Sequence, residues 1–143
     1  MSKRLRYILV LLILGMLVAI AAWKYAFRKS ESSVASRETD ITIEASFLLQ
    51  AFESNEDSAN ALYLDKVIQV SGTVESVTED SLGYSVYLKE SHALSGVICS
   101  LDKESFDPAL VKAGSRTFVK GLCTGYLMDV VLNKCSIVGQ AGN

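Results

Sequence analysis

The sequence predicts a mainly β domain with an α-helical lead-in: a five-stranded barrel, two short helices before it, and an N-terminal transmembrane helix. Three observations carry this expectation. An uncharged apolar run of 17 residues, Tyr7–Trp23, lies close to the start. Two segments with helical apolar spacing follow a polar stretch. After Lys66 the apolar period changes to two, as in half-buried strands.

The apolar run comes first in the chain. Hydrocarbon about 30 Å thick, crossed at about 1.5 Å per residue, requires roughly 17–25 residues. Tyr7–Trp23 is short for this, but Lys24 can snorkel and Ala26 and Phe27 extend the span. Tyr7 at one end and Trp23, Tyr25 and Phe27 at the other fit an interfacial aromatic belt. Ala19-Ile20-Ala21 resembles a signal-peptidase site, so a cleaved signal is the alternative. Bulky Trp23 and positive Lys24 directly after it favour an uncleaved anchor. Three basic residues precede the run and three follow it, so the positive-inside rule gives almost a tie. The six-residue tail is easily left in the cytoplasm, which puts the C-terminal domain on the extracytoplasmic, periplasmic side.

Composition divides at the same place. Six of the 14 basic residues fall within residues 1–29, and all 16 acidic residues lie beyond, leaving 8 basic against 16 acidic there, a net of −8. A domain of that sign repels polyphosphate, so it disfavours nucleic acid as a partner. Four stretches result: a basic tail over 1–6, a signal anchor over 7–27, a polar serine-rich tether over 28–40, and a domain over 41–139.

Within the domain, Ile43, Phe47, Leu48, Ala51 and Phe52 recur at helical spacing, with Thr42 as the cap and Glu44 in the first turn. Asn55 then caps a second helix whose first turn carries Glu56 and Asp57, where the helix dipole favours negative charge. Ile68, Val70, Gly72 and Val74 alternate with polar residues as a first strand. Gly72 marks the bend or bulge that closes small barrels. Tyr84–Lys89, Gly96–Leu101, Thr117–Cys123 and Asp129–Val138 read as four more strands, with a helical turn over Ser105–Lys112 between the third and fourth. This is the element order of an OB-fold barrel; an open α+β sheet is the alternative.

The stretch Asn55-Glu56, Ala59-Asn60, Tyr63, Lys66, Val70, Gly72, Val74 resembles the opening of the tRNA_anti-like family of bacterial OB-fold proteins. Val119-Lys120-Gly121, Cys123 and Cys135-Ser136-Ile137 are similar to its fourth and fifth strands. The resemblance covers about residues 41–139. It implies the OB fold, and often an N-terminal anchor or signal. It implies no catalytic residues, and it links the chain to nucleic acid only through name and fold.

The residues themselves offer little chemistry. No phosphate loop, nucleophile elbow or Ser/His/Asp arrangement occurs, so no enzyme activity and no cofactor are expected. His92, in a polar loop, lacks clustered partners for a metal. Cys99, Cys123 and Cys135 read as small core residues, with a Cys99–Cys135 disulfide as the candidate bridge because third and fifth strands are neighbours in such a barrel. A turn near Tyr126 would set Cys123 opposite Asp129 and Cys135 opposite Thr117. OB-folds bind on the face around strands two and three. There Val86 and Leu88 point inward and Tyr87 and Lys89 outward, an aromatic beside a cation able to stack on a base or a sugar ring. Tyr126, in the loop between strands four and five, is a second candidate. The functional expectation is a single-pass membrane-anchored binding module for a protein or small ligand in the envelope. The alternatives are a single-stranded nucleic-acid binder, or a structural envelope protein with no separate ligand.

Overall fold

The computed structural model describes residues 2–28 and 34–141 and divides them into two units, each treated alone. The N-terminal unit is one helix, α1 (Lys3–Arg28). Its described side chains are all exposed and apolar over almost the whole length. Lys3–Tyr25, 23 residues, is long and apolar enough to cross a membrane. At 1.5 Å per residue it measures about 34 Å.

The second unit begins in the stretch read as a tether. Lys29–Ser33 lies outside the described residues, but Val34–Ser36 forms a 3-10 turn whose Val34 is fully buried. Lys120 donates to the carbonyls of Ala35 and Arg37 and clamps this turn. The polar segment is therefore fixed on the barrel from Val34 onward, contrary to a tether running to residue 40.

The six strands are β1 (Ile41–Glu44), β2 (Val67–Glu79), β3 (Gly83–Leu88), β4 (Val97–Asp102), β5 (Arg116–Leu127) and β6 (Asp129–Gln140). Helices α2 (Ala45–Ser54) and α3 (Glu56–Tyr63) stand between the first two. β2, β3, β4, β6 and β5 close a five-stranded barrel, because β2 pairs with both β3 and β5. β1 is a sixth strand, parallel to β2, with Ile41 beside Ile68 and Ile43 beside Val70. This is the expected OB barrel with one addition.

β1 corrects the reading of Thr42 as a helix cap. Ile41, Thr42 and Ile43 are β-branched and stiff, and they fill a parallel ladder better than a first helical turn. Glu44 takes the N-cap position of α2 but makes no side-chain cap bond; its carboxylate pairs with Arg116 instead. Asn55 caps α3 as expected, its Oδ1 accepting from the Ser58 amide at 3.0 Å. The helical turn between β4 and β5 shrinks to Pro108–Leu110, capped by Asp107.

Apolar alternation builds the core. Val70, Val74, Val86, Leu88, Val97, Val119, Val130 and Leu132 are fully buried within the barrel, and Leu48 and Phe52 of α2 join the same cluster. Val67–Thr73 of β2 pairs with β5, whereas Val74–Glu79 pairs with β3. The change of partner falls next to Gly72, where an added Cβ would come within 3.0 Å of the Ala45 Cβ. The expected bend is there.

Candidate functional site

Immediately after that bend β2 carries a bulge between Val74 and Ser76. An extra residue on one strand reverses the side-chain parity beyond it. Val74 and Val77 consequently both face the core, and Ser76 and Thr78 face out. Strand pairing then assembles two rungs on the outer surface. Ser76 lies opposite Tyr87, which lies opposite Ile98; Thr78 lies opposite Ser85, which lies opposite Ser100. Ser76, Thr78, Ser85, Tyr87, Ile98 and Asp129 line one shallow groove.

Tyr87 is held in it. Its hydroxyl donates to Asp129 Oδ1 at 2.8 Å, and the Gly96 amide donates to the same oxygen at 2.8 Å. Asp129 opens β6 directly after the β5–β6 turn, and β6 runs beside β4, which brings it to the end of the Tyr87 rung. Burial, then the bond to Asp129 and its charge, push the phenol up from about 10 to about 12. Lys89 Nζ stands 5.9 Å from the Tyr87 ring centroid and 3.6 Å from Glu75 Oε1. Val86 and Leu88 face the core and Tyr87 faces the groove, whereas Lys89 reaches over the Tyr87 ring from a separate cavity at the start of α2.

Tyr126 is not in a loop. It lies in β5 opposite Val130, and the turn comes later, at Met128, whose φ is +68°. Gly125 is where β5 bulges rather than where it turns. Tyr126 stacks on Phe52 at 5.6 Å and lines a separate groove beside α3 with Glu56 and Asn60. The structure does not bring it to Tyr87. His92 sits in an exposed turn, and among the described residues no group of three His, Cys, Asp or Glu could hold a metal ion. A cavity of about 150 Å³ at the start of α2 carries Arg116, Glu44 and Lys89, already engaged in ion pairs.

All three cysteines are buried free thiols. Three irregularities in the β5–β6 pairing change the register expected for them: Cys123 faces Leu132, not Asp129, and Thr117 faces Gln140. Cys135 instead fills the space over Gly121, where any Cβ would overlap its sulfur. Cys99 and Cys135 are neighbours in hydrogen-bonding contact, and burial pushes the Cys135 thiol well up. Its sulfur also lies 3.3 Å from the Leu132 carbonyl oxygen.

Asp129 is the residue that sequence reasoning missed, since it reads only as the first residue of the fifth predicted strand. Ser76 and Thr78 were not legible as outward residues either, since the alternation of Ile68, Val70, Gly72 and Val74 continues onto them and only the bulge reverses it.

A closed five-stranded barrel with an outer groove across β2, β3 and β4 defines the class, an OB-fold domain. The chain belongs to the tRNA_anti-like family, whose model matches residues 1–137. Among solved structures, a "putative nucleic acid-binding lipoprotein" from Klebsiella pneumoniae is 18% identical, with a TM-score of 0.57 over 76% of this chain and 97% of that one. That likeness shows the fold. Asparaginyl-tRNA synthetase from Pyrococcus horikoshii is 13% identical over 57% of this chain, with a TM-score of 0.39, and this chain spans only 21% of its length. No curated protein matches the sequence.

Proposed function

We propose that this chain is a membrane-anchored, non-enzymatic binding module whose OB barrel faces the cell envelope and takes its ligand on the Tyr87 groove. The observation that carries the reading is the pinned Tyr87. A ring fixed by Asp129 between Ile98 and the hydroxyls of Ser76, Thr78 and Ser85, at the place where OB-folds bind, is preorganised for stacking. The apolar α1 supports the anchor by length and composition. Family membership supports a binding domain rather than a catalyst.

Single-stranded nucleic acid is the second reading, favoured by the nucleic-acid binding ascribed to the Klebsiella neighbour. It requires the barrel to face the cytoplasm and to overcome 16 acidic against 8 basic residues after residue 29. An alkaline phosphatase reporter fused after Asn143 separates the two. The envelope reading expects an active reporter, and an inactive one rejects it.

A further inference from the structure

Resting on the groove reading above, we infer that the ligand is an uncharged carbohydrate, a glycan segment stacked on Tyr87, rather than a polyanion. The groove's chemistry argues this. Among the described residues the hydroxyls of Ser76, Thr78 and Ser85 make no side-chain hydrogen bond, and Asp129 Oδ2 accepts none, since Tyr87 and Gly96 both use Oδ1. A groove that offers three spare hydroxyls and one spare carboxylate oxygen matches a partner that both donates and accepts repeatedly. A sugar diol does so; a phosphate oxygen only accepts, and a carboxylate repels it.

The charges agree. Those bordering the Tyr87 rung are Asp129, Glu75 and Lys89, and Lys89 is already paired with Glu75. At the far end Lys103 is paired with Glu79, and Lys134 lies in a groove with Asp80 and Asp102. Strand-bound phosphates need a cationic track, and the carboxylates here outnumber the cations.

The spacing agrees as well. Tyr87 and the Thr78–Ser85–Ser100 rung are two residues apart along the strands, about 7 Å. One pyranose with its C–H face on the Tyr87 ring therefore places the next ring over the Thr78 and Ser85 hydroxyls of the same groove. The phenol is a donor to Asp129 and stays neutral, so the ring is presented without charge.

The test uses the full chain in lipid nanodiscs, titrated with a neutral N-acetylglucosamine tetrasaccharide and separately with a single-stranded oligothymidylate, at low and physiological salt. Saturation-transfer NMR reads which sugar protons touch the protein, against empty discs. The inference expects salt-independent sugar binding with the strongest transfer on one C–H face, a Tyr87→Ala loss of about tenfold and a smaller loss in Tyr87→Phe, which keeps the ring but frees it from Asp129. Circular dichroism confirms that each variant is folded. Salt-sensitive oligonucleotide binding that requires Tyr87, with no sugar signal, overturns the carbohydrate assignment and leaves the groove reading standing. Sugar binding indifferent to Tyr87→Ala, or no binding of either probe, overturns the assignment too. The reporter fusion after Asn143 judges the envelope reading independently.

Discussion

The Tyr87–Asp129 bond is the hinge of the site, and Tyr87→Phe tests it. The substitution keeps the ring and removes one hydroxyl that donates to Asp129 Oδ1 at 2.8 Å. A hydrogen bond to a charged acceptor contributes roughly 1.5–3 kcal/mol net. The pair is half-buried at a groove, so the lower end applies, about 1.5 kcal/mol. Asp129→Ala removes the same bond and also leaves the Gly96 amide without its acceptor, so it costs more, about 3 kcal/mol. The double variant should then lose no more than Asp129→Ala alone, giving a coupling energy of about 1.5 kcal/mol. Urea unfolding of the full chain in detergent, followed by circular dichroism, measures all four corners of the cycle. A coupling below about 0.3 kcal/mol, the usual scatter of independent sites, would show that Asp129 does not hold the ring.

Four further outcomes are expected. In an absorbance titration one phenol ionises late, towards pH 12, and that late step vanishes in Tyr87→Phe. Because the folded-state value is raised above the ordinary 10, the associated stability is fully present below about pH 10 and declines as pH climbs through about 12. Mild oxidation of the folded protein should join Cys99 to Cys135 and leave Cys123 alkylatable only after unfolding, as peptide mass mapping would read; a bridge to Cys123 instead contradicts the contact between the other two thiols. Gly121→Ala forces a methyl into the Cys135 sulfur and should lower stability by about 1–3 kcal/mol in the same urea assay. Asn55→Ala removes the α3 cap and should cost about 1 kcal/mol, with Asn55→Asp largely retaining it.

Much of the barrel was legible because strands with one buried face alternate strictly, and Val70, Val74, Val86 and Leu88 announce that period. β1 was not, because Ile41 and Ile43 belong to a four-residue strand that merges into the helical spacing of Phe47 and Leu48 without a break. Only the tertiary pairing with β2 resolves it. The same limit explains Tyr126: Gly125 signals a turn, but a bulge uses glycine equally well, and the turn is made by Met128 in a left-handed conformation. For the site, parity placed Tyr87 and Lys89 on the outer face. The role of Asp129 depends on a β4–β6 pairing between residues 33 apart in Gly96 and Asp129, which no local pattern reports. The bulge that turns Ser76 and Thr78 outward is likewise a matter of pairing.

The most direct measurement is the fate of the intact chain on cell fractionation. Alkaline carbonate washing of membranes, with the mass of the recovered protein read across its N-terminus, should find the product in the bilayer fraction with Tyr7–Trp23 still attached. Recovery of that same full-length product wholly in the soluble fraction would contradict the anchor on which the envelope reading stands.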